Sequence, residues 1–171
     1  MIKKVNILVF VYNIPPRVGY GITPSLLKRI AYERTCGIKD AGGDIILFYQ
    51  FIMTIRNLDF KFLVGTERLM LLRMIASRHG CVAGLSSAFP EVIVEFYKML
   101  KEECYKEAVE RQFFIIELTE GYNVFGAKHT GNICCLEAKG VDVRHPKPPY
   151  KSLSDEELER LKSRLSEKNL F

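Results

Sequence analysis

No apolar run in this chain reaches the roughly 18 residues that a membrane-spanning helix needs. Ile7 to Val11, behind Lys3 and Lys4, is too short for a secretory signal and lacks a small-residue cleavage site. The five cysteines, Cys36, Cys81, Cys104, Cys134 and Cys135, form no CxxC pair. Neither they nor the scattered His79, His129 and His145 have zinc-binding spacing, so no metal site is expected. Free thiols buried in a reducing compartment are the plain reading. Basic residues exceed acidic ones by 25 − 20 = 5, but they are not gathered into a stripe, so no nucleic-acid partner is expected. Internal repeats and low-complexity segments are also missing. What remains reads as a cytoplasmic globular protein. Its 171 residues, 48% of them hydrophobic, suffice for one core.

Four short apolar runs stand out: Asn6 to Tyr12, Thr35 to Lys39, Phe60 to Val64 and Cys81 to Leu85. Their continuous hydrophobicity suits strands of a parallel sheet, buried on both faces. Helix signals alternate with them. Thr23-Pro24 caps and opens one helix. Asp44 opens a second, to about Arg56, and Thr66 a third, Glu67 to about His79, which Gly80 stops. Pro90 begins a fourth, with Val92, Phe96 and Leu100 on one face. The order βαβαβαβα predicts α/β architecture. From residue 102 onward the pattern is helical. Glu103 to Glu120 is amphipathic and Ala127 to Lys139 is apolar. His145 to Pro149 is extended, and Ser154 to Glu157 is a capping box before a charged last helix. The expected organisation is four βα units over 1–101 and a helical extension over 102–171 packed on them as a single domain. Four such units are half of an eightfold barrel of about 250 residues. The pattern alone does not choose between an open sheet and half a barrel.

Two polar residues end strands on the side where parallel α/β folds carry their chemistry. Lys39 follows an apolar strand and precedes Gly42 and Gly43. In an apolar barrel mouth an ammonium ion loses solvation, which favours the neutral amine, and a neutral amine can attack a ketone to form a Schiff base. Taken alone, Lys39 is more simply a lysine snorkelling from a strand end to solvent. Tyr12 ends the neighbouring strand, where a phenol can relay protons. Taken alone, it is more simply a ring in the core with its hydroxyl at the rim.

The pair is more specific than either residue. Tyr-Asn-x-Pro-x-x-x-Gly at 12–19 and Gly-Ile-Lys-Asp-x-x-Gly-Asp at 37–44, on consecutive strands, resemble the dihydrodipicolinate synthase / N-acetylneuraminate lyase superfamily. Leu63-Val64-Gly65-Thr66-Glu67 resembles that family's seventh-strand loop. Val82 to Ser87 with Phe89 to Val92 resembles its eighth strand and the helix after it. Val143 to Pro149, with the later acidic helix, is most similar to the archaeal 2-keto-3-deoxygluconate aldolase branch. The resemblance runs from about Asn6 to the last helix.

The resemblance implies the C-terminal half of a (β/α)8 TIM barrel and a pyruvate-dependent Schiff-base aldolase, a carbon–carbon lyase. Lys39 matches the imine-forming lysine and Tyr12 the proton-relaying tyrosine. Gly65 and Val82 match backbone that lines the keto-acid pocket. Arg17 matches a carboxylate-binding arginine of the dihydrodipicolinate synthases, a role that suits a guanidinium fork. Taken alone, Arg17 is equally a solvated loop charge. No metal or organic cofactor is implied, because the lysine supplies the electron sink. Ala41 and Ala127 stand where relatives carry hydroxyls, and Arg17 departs from the sugar-acid pattern. A pyruvate–aldehyde condensation of the dihydrodipicolinate synthase kind is therefore the alternative. The first four strands have no counterpart here, which leaves two open sheet edges and one bare sheet face. Such a half should associate, with a second copy or with a separate N-terminal half. A truncated, inactive half barrel is the structural alternative.

Overall fold

The computed structural model describes residues 6–31, 35–56, 58–77, 79–122, 135–137, 139–141, 143, 147–148, 152 and 154–167. Three strands, β1 (Val9–Asn13), β2 (Thr35–Asp40) and β3 (Lys61–Val64), form a parallel sheet in the order β1-β2-β3. The helices are α1 (Pro15–Val18), α2 (Pro24–Ala31), α3 (Ile45–Ile55), α4 (Met70–Ser77), α5 (Pro90–Lys101), α6 (Tyr105–Tyr122) and α7 (Asp155–Ser166). The segments between successive strands, α1 and α2 before β2 and α3 before β3, supply the crossovers that parallel pairing requires.

The register fixes two faces. Tyr12 lies opposite Lys39, and Asn13 opposite Asp40. On the other side of β2, Lys39 lies opposite Leu63 and Asp40 opposite Val64. Side chains alternate along a strand. Phe10, Tyr12, Gly37, Lys39 and Leu63 therefore share one face, which corresponds to the interior of a barrel. Val11, Asn13, Ile38, Asp40, Phe62 and Val64 share the other, toward the helices. The two faces differ sharply in burial. Ile38, Phe62 and Val64 are buried, whereas Phe10 is 44% and Tyr12 50% exposed.

The helix-side face holds the core. Phe62 meets the edge of Phe48 from α3 at 6.2 Å and of Phe60 at 5.4 Å. Each such side chain contributes about 1.5–3 kcal/mol by leaving water. The same cluster continues through Met70 and Met74 of α4, Phe96 of α5, Ile115 and Leu118 of α6, and Leu161 of α7. Gln112 of α6 receives the Leu71 N–H at its Oε1 (2.8 Å) and donates its Nε2 to the Glu67 carbonyl (2.9 Å).

The local signals act where expected. Thr23 Oγ1 accepts the Leu26 N–H at 3.2 Å and Asp44 Oδ1 the Leu47 N–H at 2.9 Å. Ser154 and Glu157 exchange both capping-box bonds, at 2.9 and 3.2 Å. Gly80 stands at φ +115, a backbone angle that favours glycine.

Three expectations change. The first strand begins at Val9 rather than Asn6, and Ile7 and Leu8 before it are exposed. The fourth run makes only a bridge: Cys81 pairs with Val64, and Leu85 to Ser87 turn as a 3-10 helix. Among the described residues no further strand lies at that edge to extend the pairing. Thr66 precedes its helix but makes no side-chain cap bond, and the helix enters through a 3-10 turn at Glu67–Leu69. Most of the 127–139 segment and of the 143–149 stretch lies outside the described residues, as do Cys134, His129 and His145.

Candidate active site

Lys39 and Tyr12 stand side by side at the C-terminal end of the sheet, with Lys39 Nζ 4.3 Å from the centre of the Tyr12 ring. An ammonium over an aromatic face is held by the ring quadrupole. Lys39 is only partly buried, so its amine is within reach of a ligand in the open barrel mouth.

Gly65 borders the lysine on the other side. A Cβ there would lie 2.9 Å from Lys39 Cε, 3.0 Å from Ala41 Cβ and 3.0 Å from the Asp40 carbonyl. Its N–H donates to that same Asp40 carbonyl at 2.7 Å. The absent side chain is thus what leaves room for the lysine. Val82 follows on the next segment, with its N–H bonded to the Val64 carbonyl at 2.8 Å and its side chain largely exposed. Arg17 is exposed on the short helix α1, five residues beyond Tyr12. The structure therefore brings Lys39, Tyr12 and Gly65 into one group, with Val82 one segment further round the sheet.

Behind this group, on the helix side, lies a polar network that sequence reasoning missed. Asn13 Nδ2 donates to Asp40 Oδ1 at 2.6 Å, and Asn13 Oδ1 accepts the Ile22 N–H at 2.9 Å. Arg73 from α4 forms a 2.7 Å salt bridge to Asp40 Oδ2. The same guanidinium donates to the carbonyls of Asp40 (3.2 Å), Gly42 (2.9 Å) and Asp44 (2.9 Å) and stacks 4.8 Å over the Phe48 ring. Arg73 is completely buried. Burial lowers its guanidinium from the ordinary value, and the Asp40 charge and hydrogen bond oppose that shift. One sequence clue exists: Asn13 and Asp40 each follow a candidate catalytic residue, so alternation sends them to the opposite face.

Glu67 ties the third strand's loop to the fourth segment by accepting the Leu85 N–H at 2.9 Å. Cys81 is half-buried there. Burial first, then the Glu67 charge, pushes its thiol up, away from the reactive thiolate. Among the described residues no group of three or more His, Cys, Asp or Glu side chains is placed to hold a metal ion, and no helix is long and apolar enough to cross a membrane.

A partial parallel barrel with a lysine and a tyrosine at its C-terminal rim defines the class. The model of the dihydrodipicolinate synthetase family matches residues 1–168, and the chain belongs to that family. It is 31% identical over 155 residues to a 2-dehydro-3-deoxy-phosphogluconate/2-dehydro-3-deoxy-6-phosphogalactonate aldolase of Saccharolobus solfataricus, covering 90% of this chain and 51% of that one. A 4-hydroxy-tetrahydrodipicolinate synthase of Methanospirillum hungatei is 27% identical over 170 residues, covering 96% and 57%. Among solved structures, a Sulfolobus 2-keto-3-deoxygluconate aldolase in complex with D-KDPG superposes with a TM-score of 0.85 at 26% identity, over 94% of this chain and 54% of that one. A dihydrodipicolinate synthase of Bacteroides thetaiotaomicron shares the fold, with a TM-score of 0.87 at 24% identity over 95% and 57%. The chain thus spans about half the length of the relatives it matches, and its fold is half of such a TIM barrel.

Proposed function

We propose that this chain carries the imine-forming half of a Schiff-base aldolase acting on 2-keto-3-deoxy sugar acids. The observation that carries the reading is the contact of Lys39 Nζ with the Tyr12 ring at the C-terminal rim of a parallel sheet. The Lys39 amine attacks the C2 carbonyl of the keto acid, water leaves, and a protonated imine forms. The Tyr12 phenol relays the proton of the C4 hydroxyl to water, giving up its own proton as it accepts that one. The C3–C4 electron pair moves toward the imine nitrogen, the aldehyde departs, and an enamine of pyruvate remains on Lys39. Protonation at C3 and attack by water release pyruvate and restore the amine. The reverse sequence condenses pyruvate with an aldehyde. Gly65 and Val82 line the keto-acid side of this pocket.

Arg17 supports a second reading. Exposed on α1 beyond Tyr12, it offers a fork for a second carboxylate, as a dihydrodipicolinate synthase-like condensation requires.

We further propose that the bare sheet face closes against four more βα units, since the fold needs eight. These come from a second copy or from an N-terminal half. If neither is available, the chain is an inactive half that awaits its partner.

Reductive trapping tests the central claim. The protein is incubated with pyruvate and borohydride, and adducts are located by peptide mass spectrometry. The expected result is an adduct on Lys39 that is absent from Lys39→Ala. Absence of an adduct from the wild-type chain, both alone and after association with the missing half, overturns the reading.

A further inference from the structure

Tyr12 and Lys39 face each other across β1 and β2, and so do the residues that follow them, Asn13 and Asp40. Consecutive residues of a strand point to opposite faces. The pair on the barrel face is therefore backed, one residue along each strand, by a buried polar pair on the helix face. Asn13 and Asp40 are each 1% exposed, and a 2.6 Å hydrogen bond joins them. Arg73 completes the arrangement from α4. It neutralises Asp40 and grips the carbonyls of Asp40, Gly42 and Asp44, so that the end of β2 and its loop are held at four points by one side chain. A fully buried arginine is costly to desolvate, and a hydrophobic side chain of similar volume often serves stability as well or better. Stability alone is thus a weak reason for this arrangement.

We propose that Arg73, acting through Asp40 and Asn13, is a positioning residue that sets the Lys39 amine against the Tyr12 ring. The inference rests on the reading of Lys39 as the reactive amine. The mechanism is geometric. Fixing the Asp40 carboxylate and carbonyl fixes the residue that follows Lys39. The bond to Asn13 fixes the peptide that follows Tyr12 in the same frame, so the two barrel-face side chains cannot drift apart independently. Arg73 touches neither the amine nor a substrate.

The test uses the whole chain and reads Lys39 without requiring turnover. Wild type, Arg73→Lys and Asn13→Ala are labelled at trace level with isotopically coded acetic anhydride across a range of pH. The yield at Lys39 is divided by the yield at the exposed Lys28 of the same molecule. Arg73→Lys keeps the positive charge beside Asp40 but cannot span the three carbonyls. In both variants the Lys39-to-Lys28 ratio is expected to rise by about two- to fivefold as the amine leaves the ring, the factor that matches loss of an exposed cation–π contact. A merely structural role would lower the unfolding midpoint and leave that ratio and its pH profile unchanged. An unchanged ratio in either variant, at a temperature where circular dichroism shows it folded, overturns the proposal. Pyruvate trapping on the wild type is a separate measurement. If trapping fails while the ratio shifts, the functional reading falls and the positioning role stands.

Discussion

The hydrogen on the Gly65 Cα holds the place that any larger group would take from the Lys39 side chain: a Cβ there would lie 2.9 Å from Lys39 Cε. The lysine end is flexible, but the Asp40 carbonyl at 3.0 Å is not, because it accepts from Gly65 N–H and from Arg73. Gly65→Ala should therefore push Lys39 off its present path while leaving the core intact. The pyruvate adduct on Lys39 should fall by about a hundredfold, the loss that a misplacement of about 1 Å produces. Trapping followed by mass spectrometry reads the effect. A Gly65→Ala protein that traps pyruvate like wild type would show that the close approach does not matter.

Tyr12→Phe separates the two roles of the tyrosine. The ring that Lys39 rests on remains and the hydroxyl is lost. Imine formation with pyruvate should persist, while carbon–carbon cleavage falls by about 10²–10⁴, the usual worth of a positioned proton-transfer group. Parallel assays of trapping and of aldehyde release decide the matter. Equal loss of both would assign Tyr12 to substrate binding instead.

The reach of the sequence followed the range of each interaction. Thr23, Asp44 and the Ser154–Glu157 box act within one helical turn, and each could be read directly from neighbouring residues. Lys39 and Tyr12 were visible because each interrupts an apolar strand at its end. Arg73 was not. In Met70-Leu71-Leu72-Arg73-Met74 it reads as the solvated position of an amphipathic helix, and its partner Asp40 lies 33 residues away. Whether a charge is buried is decided by what packs around it, which periodicity does not record. The single bridge at Cys81 was hidden for a similar reason: an apolar run shows that a strand can form, but not that a neighbour extends its pairing.

The Asp40–Arg73 pair predicts a particular pattern of stabilities. Both side chains are buried, so removing one partner leaves a charge with no counterpart. Arg73→Met should cost about 3–5 kcal/mol, whereas Asp40→Asn combined with Arg73→Met should recover much of it. Urea unfolding of the two single variants and the double variant gives the coupling directly. A double variant as unstable as the sum of the singles would mean that the pair is not coupled.

His79 gives the fold an acid-sensitive point beside β3. Its Nδ1 accepts the Phe62 N–H at 3.1 Å and its ring stacks on Phe62. Burial, then the Lys61 charge, lowers its pKa from the ordinary imidazole value, while the Asp59 charge opposes them. The folded protein thus binds the proton less readily than the unfolded chain. The stability is fully present above the unfolded value and is lost as pH falls through the folded one. The melting temperature should fall as pH drops below about 6.5, the value at which the unfolded histidine takes up its proton. His79→Phe, which keeps the stacking and cannot be protonated, should flatten that slope. An unaltered slope in His79→Phe would place the acid sensitivity elsewhere.

The barrel-side face makes a prediction about assembly. Phe10 lies on it, exposed at 44%, and Val82, one segment further round the sheet, is exposed at 46%. Among the described residues no strand lies beyond the outer edge of β1 or beyond the Cys81 bridge, which invites pairing there. Both features are answered at once if four further βα units close the sheet, and an apolar layer buried in that closure would supply its main driving force. Light scattering behind size-exclusion chromatography should therefore show association, either with a second copy or with a co-expressed N-terminal half. Phe10→Glu places a charge in the middle of the buried layer without touching the helix-side core. It should shift the population to the single chain and abolish trapping at Lys39 if closure builds the pocket. A wild-type chain that runs as a well-behaved monomer and gains nothing from the N-terminal half would sink the proposal, and the open face would then need another explanation.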